Sequence, residues 1–97
     1  MNWNNNASKF IGQIGQRLKD IEVVLETKHS FYTITTGKHS YFYQFRKGND
    51  ALVWWTDVLI TSDVSSKMII SGTIKDHKIY YGENKTVLSR VNIREVL

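Results

Sequence analysis

The chain has 97 residues, enough for one domain but not two, and 41% of them are apolar, which excludes a disordered polymer. It contains no cysteine, so disulfides, thiolate metal sites and thiol nucleophiles are excluded, and the expected setting is a reducing one, the cytoplasm. Thirteen Lys and Arg against nine acids leave a net charge of +4, a positive field that favours polyanionic partners.

Near the start, Trp3, Ala7, Phe10, Ile11, Ile14 and Leu18 recur at helical spacing, and Asn5 or Asn6 can cap the free N–H groups of a first turn. Gly12 and Gly15 each weaken a helix interior by about 1 kcal/mol relative to alanine. The spacing therefore predicts a short helix over Asn6–Ile11, with residues 1–16 as helix and turn and residues 17–97 as the body of a single domain. No apolar stretch there has the form of a signal peptide, and no run approaches the ~20 residues of a membrane span, so no membrane partner is expected.

From Arg17 onward the period changes to two. Ile21, Val23 and Leu25 alternate with Glu22, Val24 and Glu26, the pattern of a half-buried strand, and a polar stretch containing Gly37 follows as a loop. Tyr41–Phe45 is a second strand, dense in aromatics. Lys47-Gly48-Asn49-Asp50 is a tight hairpin turn, because Gly and Asn tolerate positive φ. Ala51–Thr56 is the third strand. Asp57–Ser66 is a polar connector with a short apolar centre at Val58, Leu59 and Ile60. Lys67–Ile74, continuing toward Tyr81, is the fourth strand, and Thr86–Ile93 after a turn at Gly82-Glu83-Asn84 is the fifth. Five strands in so short a chain close most readily into a small barrel, which removes exposed edges. An OB barrel and an SH3-like barrel both have this strand count. Long first and fourth strands, with the weak connector between strands three and four, favour the OB arrangement. The fold expected is mainly β, a five-stranded OB-like barrel with a short N-terminal helix.

The run Ser71-Gly72-Thr73-Ile74-Lys75-Asp76-His77-Lys78-Ile79-Tyr80-Tyr81-Gly82-Glu83-Asn84-Lys85-Thr86-Val87-Leu88-Ser89-Arg90 resembles a pattern of bacteriophage and mobile-element proteins, roughly G-T-V-K-x-H, aromatic, G, K, x-T-x-L-x-R. Upstream, Phe10–Arg17 with its two glycines resembles that group's motif before the first strand, and Gly48-Asn49 followed by Trp54 resembles its second hairpin. Together the resemblance spans about Ser8 to Ile93. It implies an OB-like domain that binds single-stranded nucleic acid during DNA replication or recombination. Two positions depart from the pattern, Lys85 for a glutamine and Lys47 for an acid, and both add positive charge.

A single-strand binder needs cations for phosphates and flat side chains for unpaired bases, and an OB barrel presents them across strands two and three between loops one–two and four–five. On strand two, alternation puts Phe42, Gln44 and Arg46 outside and Tyr41, Tyr43 and Phe45 inside; Lys47 follows in the turn. On strand three it forces Trp54 and Trp55 onto opposite faces, and we expect Trp54 inward with Leu52 and Trp55 outward with Val53. Strand four places Met68, Ile70, Gly72 and Ile74 on its apolar face. Lys75, His77, Lys78, Tyr80, Tyr81 and Lys85 then crowd the turn between strands four and five, basic residues interleaved with aromatics. Strand five adds Arg90, expected on the same face as Thr86 and Leu88.

No H-E-x-x-H, P-loop or D-x-D spacing occurs, and none of His29, His39 and His77 has a helical partner four residues away, so neither an enzyme nor a metal or other cofactor is expected. The expected partner is single-stranded DNA, with RNA as the alternative, and a replication or recombination protein or a second copy of the chain as further partners. The rival is a protein-interaction module, such as an inhibitor of a host protein, whose Trp, Tyr and Arg side chains would anchor an interface. Salt separates the two, because phosphate contacts release counterions.

Overall fold

The period-two pattern becomes five strands that enclose one apolar core. A computed structural model describes residues 8–97, with β1 at Arg17–Thr33, β2 at Lys38–Lys47, β3 at Asp50–Thr56, β4 at Lys67–Tyr80 and β5 at Glu83–Val96. They close into a barrel in the order β1-β2-β3-β5-β4, all neighbours antiparallel except β3 and β5. Alternation sends Val23 and Leu25, Tyr43 and Phe45, Leu52 and Trp54, Met68, Ile70 and Ile74, and Leu88 into one core, which Val91 also enters. No helix occurs among the described residues, and so none is long or apolar enough to cross a membrane.

β1 closes the barrel by serving two neighbours. Its first half pairs with β4 from Arg17 to Val24, and its second half pairs with β2 from Val24 to Thr33. The change of partner is accompanied by an unpaired residue at Glu26, where the register jumps from Leu25↔Phe45 to Thr27↔Gln44. Such a bulge bends a strand and increases its local twist. Beyond it, β1 and β2 leave the barrel together as a two-stranded arm in which every residue from 29 to 40 is exposed. The arm helps give the molecule its long axis, 45 Å against 28 and 27 Å.

The expected helix over Asn6–Ile11 is corrected by this structure. Residues 8–11 are not helical, and Asn6 and Ala7 lie outside the described residues. The reason is a competition for backbone donors. The Lys9 N–H is given to Asp50 Oδ1 (2.8 Å) and the Ile11 N–H to Thr86 Oγ1 (2.9 Å), while Ser8 Oγ accepts from the Ala51 N–H (2.8 Å). The segment is laid along the barrel by these side chains instead of coiling on itself. Gly12 then turns the chain at φ 59°, where an added Cβ would sit 2.8 Å from Ile74 Cδ1.

The connector between β3 and β4 has the apolar centre expected, but only Ile60 of the three enters the core; Val58 and Leu59 stay exposed. The buried Tyr43 hydroxyl holds it in place, accepting from the Ile60 N–H and donating to the Val58 carbonyl, both at 2.7 Å. The alternation expected for β5 also breaks. Thr86 and Leu88 are buried, but Arg90 is exposed, because its positive φ of 53° turns the strand and hands the next core place to Val91. Tyr43→Phe, which leaves the Ile60 N–H unpaired, should lower unfolding free energy by about 1–3 kcal/mol in urea titrations. Tyr41→Phe, whose hydroxyl makes no such bond, should change it by less than about 0.5 kcal/mol.

Candidate functional site

Antiparallel pairing builds an aromatic row on the outer face of the barrel. His29 on β1 lies opposite Phe42 on β2, and Phe42 lies opposite Trp55 on β3. Their rings are in contact across the strands, with Phe42 and Trp55 at 4.6 Å and His29 and Phe42 at 6.2 Å between centroids. Phe31, one step further along the arm, stacks on Trp55 at 5.8 Å. Trp55 is 55% exposed and Trp54 only 5%, on opposite faces as alternation requires and with Trp54 inward as expected, although Val53 beside Trp55 is buried as well.

The β4–β5 turn completes a groove over this row. Tyr81 and Gly82 both have positive φ, 52° and 74°, the backbone of a tight hairpin turn. Glycine takes this conformation freely, whereas Tyr81 holds it under strain, with its side chain fully exposed. Tyr80 and Tyr81 form one wall of a groove of about 460 Å³ whose other walls are Phe31 and His29 from the arm and Phe42 and Trp55 from the sheet. Phe42, Trp55, Tyr80, Tyr81 and Lys85, expected from the sequence, are thus brought together; Thr27, His29 and Phe31 join them from β1.

Gln44 and Lys85 of the groove's lining belong to a polar network that continues away from it to Glu26, Arg46 and Glu83. Gln44 gives its amide N–H to Glu26 Oε1 (2.6 Å) and accepts from Lys85 Nζ (2.7 Å). Arg46 clasps Glu26 through Nε (3.2 Å) and Nη2 (2.6 Å), and its Nη1 reaches Glu83 Oε2 (2.9 Å). This arrangement holds the Glu26 carboxyl below its ordinary range, chiefly through the Arg46 hydrogen bonds and against some desolvation, and pushes the Arg46 guanidinium up for the same reason. Two acids and two cations cancel here, so Arg46 and Lys85 are occupied by protein rather than presented to solvent.

The remaining sequence-expected residues lie elsewhere. Beyond Leu88, β5 no longer pairs with β3, and a cleft of about 450 Å³ opens between the strands on the other side of Trp55. Lys75 and Arg90 line it, together with Asp57. Neither cation has an ion-pair partner among the described residues. Arg17 Nη1 anchors the turn at Arg90 by donating to its carbonyl (2.8 Å) and to Thr73 Oγ1 (3.1 Å). His77 stacks on Phe10 at 4.6 Å and so fastens the N-terminal segment to the barrel. Lys78 pairs loosely with Asp76 (3.8 Å), and Lys47 is exposed at the far end of β2, outside the groove.

Among the described residues no group of three or more His, Cys, Asp or Glu converges as a metal site. No family model matches the chain, and no curated protein or solved structure matches it significantly. Because the folded-state pKa of Glu26 is depressed, its contribution to stability is complete above the ordinary carboxylate pKa and is lost as pH falls through the lowered one. The urea midpoint of the wild type should therefore drop between about pH 5 and pH 3 more steeply than that of Glu26→Gln, which should already be less stable at neutral pH.

Proposed function

We propose that this chain is a non-catalytic single-stranded DNA-binding domain of the OB type, serving replication or recombination of a phage or mobile element. The observation that carries the proposal is the aromatic groove itself. It lies across β2 and β3, between the β1–β2 arm and the β4–β5 turn, and a closed five-stranded barrel with a groove in this place supports the OB reading, because OB barrels bind oligonucleotides across strands two and three between the corresponding loops. The resemblance of Ser71–Arg90 to phage and mobile-element proteins supports the same conclusion.

Bases stack on Phe42, Trp55 and Phe31, which already pack on one another as flat surfaces and lose little freedom on binding, and on the exposed ring of Tyr81 at the turn. Phosphates meet Lys75 and Arg90, which flank Trp55 and form no ion pair among the described residues. Arg46 and Lys85 act one step back. They hold the β4–β5 turn over the groove through Glu83 and Gln44. RNA carries the same phosphates and π-faces, and both polymers belong in the first binding experiment.

Anisotropy of labelled oligo(dT), titrated at low and high salt with a duplex of the same length as control, tests the proposal. Binding that prefers the single strand and weakens with salt supports it; no binding at low salt overturns it and leaves the protein-interaction module. Trp55→Ala should weaken binding by about 1–3 kcal/mol with the salt slope unchanged. The Lys75→Ala, Arg90→Ala double variant should reduce the slope of log affinity against log salt by about 1.4, roughly 0.7 for each phosphate contact on a single strand. Tyr81→Asn separates binding from folding. Asparagine is a preferred residue at this turn position, so the melting temperature should hold or rise while oligo(dT) affinity falls.

A further inference from the structure

The aromatic groove uses one face of the β1–β2 arm, and the opposite face is also aromatic. Tyr32 lies opposite His39 and Ser30 opposite Tyr41, on the side that continues inward to Tyr43. Four rings form an unbroken series there. Tyr32 and His39 are 4.8 Å apart, His39 and Tyr41 6.5 Å, and Tyr41 and Tyr43 6.1 Å, the last two pairs nearly parallel at 13° and 12°. The inner part of this face borders a groove of about 360 Å³ between the arm and Leu59 of the connector.

Charge identifies what covers this face. From Thr27 to Lys47 the chain has no Asp or Glu, and the arm itself carries Lys28 and Lys38. Lys28 is spent on the Ser62 carbonyl (2.8 Å), but Lys38 is exposed at the arm's end. Two copies of such an arm repel each other, whereas a polyanion with flat faces is complementary to both its charge and its rings. A two-stranded ribbon is marginal alone in water, and this one exposes Phe31, Tyr32 and Ile34.

Resting on the single-strand reading of the groove, we infer that the arm is a wedge between two diverging nucleic-acid strands. One strand lies in the groove over Phe42 and Trp55, and the second lies on Tyr32, His39 and Tyr41 across the arm. The preferred ligand is then a fork, where a duplex opens into two single strands, over a lone strand of the same length.

The experiment compares three labelled probes with the full chain. They are oligo(dT), a duplex with one oligo(dT) tail, and the same duplex with two such tails of about 15 nucleotides, long enough to span one OB domain. The fork should bind about tenfold more tightly than the single-tailed duplex, beyond the statistical gain from a second tail, as expected from one or more additional stacked bases. Tyr32→Ala with His39→Ala, both at exposed positions, should bring the fork down to the single-tailed duplex and leave oligo(dT) binding unchanged. Equal affinity for fork and single tail, or a double variant that weakens all three probes alike, overturns the wedge while the groove's own function stands. Failure of oligo(dT) to bind at all overturns both.

Discussion

Glu26 has no partner residue on β2, and most of what is distinctive in this barrel follows from that extra residue. The bulge allows β1 to pair with β4 on one side and then swing out with β2 as the arm. It also turns the Glu26 carboxylate onto the outer face, where Gln44 and Arg46 bond to it. Arg46 passes the connection to Glu83 at the base of the β4–β5 turn, and Lys85 closes it through Gln44. One unpaired residue thus ties together the three elements that enclose the groove. Charged hydrogen bonds of this kind, partly shielded from water and mutually satisfied, fix geometry better than they add stability.

The groove combines two features that folding alone does not favour. Trp55, Phe31 and Tyr81 leave large apolar surfaces in water, and Tyr81 does so from a strained backbone position. The polar network beside them is electrically balanced, whereas the rim beyond Trp55 keeps Lys75 and Arg90 without ion-pair partners among the described residues. Flat, pre-stacked surfaces in the middle and unspent positive charge at the edge suit a ligand that alternates flat groups with anions. The wedge proposal extends the same physics to the other face of the arm, where rings repeat at near-strand spacing and no acid occurs between Thr27 and Lys47 to oppose a phosphate.

Much of the barrel was legible from periodicity. Strands two and three and the turn at Lys47–Asp50 follow from alternation and turn chemistry, and a period of two puts Trp54 and Trp55 on opposite faces, but which of them faces inward is settled only by the closed barrel. The arm was not legible. Lys28, Ser30, Thr33 and Lys38–Ser40 read as part of a polar loop because an arm exposed on both faces has no buried face to set the period, and with them His29 and Phe31 were missed as walls of the groove; of that stretch only residues 34–37 form the turn. Their signal was the β-favouring run Phe31-Tyr32-Thr33, in phase with Thr27 and His29. Arg46 looked like a phosphate ligand because its partners are remote in sequence, Glu26 and Glu83 being reached only once the barrel closes. The helical spacing before Gly12 was real, yet donors at Lys9 and Ile11 found side-chain acceptors on the barrel.

The most direct test of the central claim is a ¹H–¹⁵N spectrum of the protein titrated with oligo(dT), followed at the tryptophan indoles and the backbone. The account predicts a large shift of the Trp55 indole, with backbone shifts along Thr27–Phe31, at Phe42 and at Tyr80–Gly82, while the buried Trp54 indole moves little. Shifts confined to surfaces away from β2 and β3, or a spectrum unchanged by saturating oligonucleotide, would contradict it.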